Sequence, residues 1–133
     1  PMQVTLKPVK EIRAIHLLFP VPHGPCEHWR AKPASYWSHL LGHEGEGSVL
    51  ALAKALGYAT SLEAGVSYSA TAWSLFGVKL RLTVAGMRHV TELVEMVFAY
   101  LKVVKAQPPL EWIHVEQQRL AQVQFDYQPQ RRG

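Results

Sequence analysis

Cysteine is all but missing from this chain: Cys26 is the single one in 133 residues, so no disulfide can close within it. A lone thiol suits a reducing compartment, and a cytoplasmic setting is the expectation it supports. Long apolar runs are missing as well. None approaches the ~20 residues needed to cross a bilayer, which excludes a helical membrane anchor in these residues. The opening Pro1-Met2-Gln3-Val4 has no charged stretch followed by an apolar one, so no secretory signal is expected. Clustered charge of one sign is scarce too. The net charge is +4, yet the basic residues are scattered from Lys7 to Arg132 and only Arg131-Arg132 are adjacent. A nucleic-acid surface gathers such residues on one face with aromatics between them, so nucleic acid is not an expected partner. A start at Pro1 and a polar end from Gln128 to Gly133 suggest a piece of something longer.

What is present is ordinary for a globular domain: 48% apolar and 18% charged residues in a single domain's length. Ile12 to Pro22 reads as a strand, with Arg13, Ile15, Leu17 and Phe19 on one face and Ile12, Ala14, His16 and Leu18 on the other. Both faces are largely apolar, which predicts an inner strand of a covered sheet, ended by Pro20 and Pro22. Residues 23–32 read as a loop. Pro33 opens a short helix over Ala34 to Leu41, and Gly42, Gly45 and Gly47 break or bend it. Ser48 caps a second helix, Val49 to Leu56, stopped by Gly57. Tyr58 to Tyr68 is a strand interrupted at Ala64-Gly65, residues 69–72 turn, and Trp73 to Leu82 is its hairpin partner. From Ala85 to Lys105, Val90, Leu93, Val94, Val97, Phe98, Leu101 and Val104 recur at helical spacing and mark a core stripe. Pro108-Pro109 end that helix, and Leu110 to Gln124 form the last one. Strand runs grouped beside helices predict an α+β two-layer sandwich, helices packed on one face of a mainly antiparallel sheet.

The chemistry concentrates in His39-Leu40-Leu41-Gly42-His43-Glu44-Gly45-Glu46-Gly47-Ser48. Histidines at i and i+4 share a helix face, and in the inverse zinc motif H-x-x-E-H such a pair grips zinc. The glutamate of that motif is the base that activates the metal-bound water. Here the glutamate position is Gly42, so a metal-bound water would find no base. A competent site also wants a third ligand, and Glu44 diverges from His43 by about 100° on a helix. The expectation is that these residues supply no catalysis and hold no metal, and line a polar pocket instead. The three glycines do not form a phosphate loop, since no strand leads in and no Lys-Ser/Thr pair comes after. Glu44 and Glu46 diverge at i, i+2, and Cys26 with His28 nearby carries no nucleophile signature. Trp29, Trp37, Trp73 and Trp112 read as packing anchors, with Trp37 near the polar pocket.

In order along the chain, several segments resemble the insulysin/pitrilysin metallopeptidases, specifically their insulysin-like (nardilysin-like) branch. Ile12-Arg13, Ile15, Leu17 and Phe19-Pro20-Val21-Pro22 are similar to that family's I-R-x-L-x-V-x-F-P-I-P strand. Lys32-Pro33, Tyr36 and His39 through Leu50 resemble its K-P-x-x-Y-x-x-H-L-I-G-H-E-G-x-G-S-L-L. Gly57-Tyr58, Thr60-Ser61-Leu62 and Gly65 resemble a G-W-x-x-x-L-x-x-G segment, and Glu111-Trp112 after Pro108-Pro109 its P-x-E-W.

The resemblance implies four related α+β domains enclosing a chamber, each with the fold shared by LuxS and the mitochondrial processing peptidase. Zinc belongs to the first domain. Residues 1–133 then look like the opening half of the second, non-catalytic domain, a fragment with no cofactor of its own. The resemblance further implies a substrate-binding exosite for a peptide's N-terminus, made of His39, Gly42, His43, Glu44 and the strand Leu62-Glu63-Ala64-Gly65-Val66. An anionic Glu44 suits a peptide ammonium, and an edge strand suits pairing with an extended peptide. Relatives tend to have a second glycine at Ala64 and a small uncharged residue at Glu63. Expected partners are a peptide substrate and the other domains of the same chain, with self-association of the exposed fragment possible. Two alternatives stay open: a stand-alone peptide- or protein-binding module, and a scaffold subunit of a mitochondrial complex.

Overall fold

Residues 2–7, 11–22 and 32–127 are described by the structure, a computed structural model. They form β1 (Ala14–Val21), α1 (Pro33–Gly42), α2 (Val49–Ala55), β2 (Ala59–Ser69), β3 (Ser74–Leu82), one 3-10 turn (Gly86–Arg88), α3 (Val90–Lys105) and α4 (Glu111–Asp126). This is the expected mixed α+β order, with all three strands antiparallel. The expected loop at 23–32, with Cys26, His28 and Trp29, lies outside the described residues apart from Lys32.

β3 is central because, among the described residues, it alone has two partners: the sheet order is β1-β3-β2. Its alternation puts Phe76, Val78, Leu80 and Leu82 on the buried face. The register aligns Ile15–Leu80–Leu62, Leu17–Val78–Ala64 and Phe19–Phe76–Val66 as rows across the three strands. Leu41 of α1, Val49, Leu50 and Ala53 of α2, and Leu93 and Val97 of α3 close over these rows. Each fully buried leucine contributes about 1.5–3 kcal/mol by leaving water.

Three expectations are corrected. β1 is an edge strand among the described residues, and Leu18 on its second face is 54% exposed. A sequence with two apolar faces cannot distinguish a covered inner strand from an edge whose outer face is open. Pro20 accordingly lies inside the strand, opposite Leu75, because an edge tolerates a missing N–H donor. β2 runs through Ala64-Gly65 without interruption; its register shifts fall at Ala59/Ser61 and Val66/Tyr68. Finally, Phe98 leaves the core stripe of α3. It is half exposed and packs edge-on against Phe19, with ring centroids 5.9 Å apart at the sheet's rim.

Tyr100 ties α3 to α1. Its hydroxyl donates to the Leu40 carbonyl at 3.1 Å, one of the last-turn carbonyls that a helix leaves without an internal partner. Burial, reinforced by Tyr36 nearby, raises the Tyr100 phenol above its usual 10.0. The folded state thus disfavours the phenolate. Stability from this group is complete below the unfolded value of 10.0 and is lost as pH rises through the raised folded value. Denaturant midpoints taken from about pH 8 to about pH 11 are expected to fall above about pH 10, and Tyr100→Phe is expected to flatten that fall. The variant should cost about 1 kcal/mol at neutral pH for the lost hydrogen bond.

Candidate functional site

α1 delivers His39 near its C-terminus and ends at Gly42, and His43 is already extended at φ −63, ψ 134. Glu44 therefore does not continue the helical geometry, and the expected divergence of about 100° from His43 does not apply. The chain reverses through a tight turn closed by the Ser48 amide donating to the Gly45 carbonyl at 3.1 Å. Gly47 holds the third position of that turn at φ +81, the type II arrangement that a side chain resists. Ser48 then caps α2 as expected, its hydroxyl accepting from the Ala51 amide at 3.1 Å.

Gly45 has a different role. A Cβ built there would collide with the His43 ring, which occupies the space a side chain would need. The Gly45 amide donates to His43 Nδ1 at 2.8 Å. An accepting Nδ1 puts the proton of the neutral ring on Nε2. His39 Nδ1 lies 3.2 Å from the side-chain amide of Gln117 on α4. Trp112, at the start of α4, meets the His39 ring edge-on, with centroids 6.0 Å apart.

The donor set does not fit zinc. A ligating imidazole normally donates from one nitrogen to a second-shell acceptor and offers the other lone pair to the metal. His43 does the reverse, with Nδ1 accepting from the Gly45 amide and Nε2 protonated. The rings stand 6.4 Å apart at 65°. Among the described residues no group of three or more His, Cys, Asp or Glu side chains could hold a metal ion. Gly42 offers no carboxylate, and no neighbouring atom occupies the space where one would begin. What the arrangement provides is the His43 Nε2–H donor, the His39 ring beside it and an exposed carboxylate.

That carboxylate is partnered. Lys54, in the last turn of α2, reaches back so that Nζ lies 3.0 Å from Glu44 Oε2. β2 runs beside this assembly, packed against α1: a Cβ at Gly65 would contact Ser38 Oγ at 3.5 Å. β2 is the other edge of the sheet among the described residues. Leu62 is 5% exposed and sunk in the core, so its side chain is closed to a ligand and only its backbone is available. Ala64 also packs on the core, Glu63 is exposed opposite Lys79, and Val66 is half exposed.

Lys54, Gln117 and Trp112 were not found by sequence reasoning as parts of this site. Lys54 is ten residues from Glu44 and Gln117 is 78 from His39. Neither separation is a local spacing. Trp37, expected near the pocket, packs on the core and edge-on to Tyr36.

Comparison with known proteins bears on what such a site serves. Residues 2–120 match the family model described as the peptidase M16 inactive domain. The A-factor-processing enzyme of Saccharomyces cerevisiae is 36% identical over 124 residues, covering 93% of this chain and 12% of that protein. The insulin-degrading enzyme of Drosophila melanogaster is 31% identical over 125 residues, covering 94% of this chain and 12% of that protein. The crystal structure of pitrilysin superposes with a TM-score of 0.82 at 15% identity, covering 92% of this chain and 13% of that one, a likeness of fold. The chain thus spans about an eighth of the length of these proteins.

Proposed function

Because this chain belongs to the M16 peptidase family, to its inactive-domain class, we propose that it is a chamber-wall segment of an insulysin-like zinc metalloendopeptidase. It is the opening half of the second domain, with the LuxS and mitochondrial-processing-peptidase type of fold. Zinc and hydrolysis belong to the parent's first domain, and this segment captures the peptide. His39, Gly42, His43 and Glu44 receive the peptide's amino terminus, and the backbone of Leu62 through Val66 pairs with its extended chain.

The observation that carries the reading is the pairing of an exposed Glu44 carboxylate with an edge strand packed on the same helix that presents His39. A peptide's leading residues need both: an anion for the ammonium, and unpaired backbone groups for the extended residues behind it. The His43 tautomer agrees with capture, since its Nε2–H can donate to a peptide carbonyl. The other domains of the parent chain cover the apolar side chains this segment exposes, among them Leu18, Phe98 and Leu120. Left uncovered, those surfaces favour self-association. The lone thiol agrees with a cytoplasmic setting, and no helix among the described residues is long and apolar enough to cross a membrane.

Metal analysis with a fluorogenic-peptide assay tests the division of labour. The 133-residue chain is expected to retain no stoichiometric zinc and to cleave nothing, while the full-length parent holds zinc and cleaves the peptide. Chelator-sensitive turnover by the 133-residue chain would overturn the reading.

A further inference from the structure

The Glu44 carboxylate already has a cation. Lys54 holds its Oε2 at 3.0 Å across an exposed contact, and an arriving peptide ammonium competes with it for the carboxylate. The two side chains are rooted in separate, well-anchored elements. Glu44 rises from the turn after α1, and Lys54 from α2, whose Val49, Leu50 and Ala53 are buried. The lysine therefore stays close by after it is displaced, tethered by a flexible four-carbon stem and short of an anion.

We propose that Lys54 is the specificity-determining residue of this site: it competes with plain amino termini and favours those that bring a carboxylate on their first or second residue. Such a terminus exchanges one ion pair for two, its ammonium on Glu44 and its side-chain carboxylate on Lys54. A terminus without a side-chain carboxylate breaks the resident pair and leaves Lys54 unpaired beside the peptide's ammonium. This rests on the amino-terminus reading above. The ligand class it names is narrower: peptides with a free α-amine flanked by aspartate or glutamate.

Fluorescence anisotropy on the full-length protein, with a chelator present to prevent cleavage, tests this with three peptides labelled at their C-terminus. They begin with a free alanine, a free aspartate and an N-acetylated alanine, and are otherwise identical. Wild type is expected to bind the aspartate peptide tighter than the alanine peptide. Lys54→Met, which keeps the aliphatic stem, should tighten the free-alanine peptide roughly two- to five-fold, the range set by an exposed ion pair. It should also erase the aspartate preference and leave the acetylated peptide unmoved, whereas Lys54→Arg retains the preference. If Lys54→Met weakens the free-alanine peptide, the lysine organises Glu44 and the proposal fails while the capture reading stands. An aspartate preference that survives in Lys54→Met sinks it equally. If wild type binds the acetylated and free-alanine peptides alike, the capture reading fails and takes this one with it.

Discussion

Glu44→Gln is expected to weaken binding of a free-amine peptide roughly ten-fold and to leave an N-acetylated peptide nearly unchanged. Hydrogen bonds to charged groups are worth about 1.5–3 kcal/mol, but that range applies where water is largely excluded. The Glu44 side chain is 64% exposed, so solvent and salt reduce its share to the bottom of the range or below. A second effect acts in the same direction. Without the carboxylate, Lys54 remains as an unpaired positive charge where the ammonium should sit. The difference between the variant and wild type should therefore shrink as salt rises, since screening at about 0.1 M already acts over about 10 Å. Crossing the substitution with acetylation isolates the ammonium–carboxylate pair from any general loosening of the turn. Equal losses for the two peptides would show that Glu44 serves the fold and not the ligand.

Leu50→Ala is expected to be the most costly substitution near the site, at about 2–5 kcal/mol. Leu50 is 0% exposed and lies among Leu41, Leu62, Val78, Leu80 and Leu93. Shortening it removes methylene contacts worth about 0.8 kcal/mol each and leaves a cavity that the sheet and α3 fill only in part. With a urea m-value of about 1–3 kcal/mol/M, the midpoint should fall by about 0.7 M or more. Leu52 is the internal control: same helix, same residue type, but 51% exposed. Its alanine variant should stay within about 0.5 kcal/mol of wild type. Comparable losses at both positions would mean that α2 is not seated as described. The seat matters to binding because α2 carries both ends of the turn's support, the Ser48 cap and Lys54.

Much of this was legible along the chain because the determinants are local. Ser48 as a cap, Pro33 at a helix start and Gly57 at a helix end are decided by neighbours within four residues, and each element sits where those signals put it. The stripe on α3 was legible for the same reason, with Leu93 and Val97 at its centre. It failed at Phe98 because periodicity gives the face a residue occupies and not how far the opposing sheet extends. β1 failed for a related reason: alternation states which side chains share a face, whereas neighbours in a sheet are chosen by segments far apart in sequence. The tryptophans divided likewise. Trp37 packs on the core as expected, but Trp112 stays half exposed against His39 because α4 docks on α1.

From residue identities alone came the loss of chemistry. Glycine between two imidazoles removes the base whatever the fold does, and the element order comes from short-range patterns. Folding in three dimensions decided the rest. It set the sheet order β1-β3-β2, the protonated nitrogen of His43, the Gln117 partner of His39 and the cation resting on Glu44. Sheet order, the Gln117 bond and the Lys54 pair join segments ten to 78 residues apart, beyond the reach of any helical or strand repeat, while the His43 tautomer depends on a backbone fold-back that residue type does not dictate. A side chain's charge and size are written in its identity, but its partner is settled only when the chain has closed on itself.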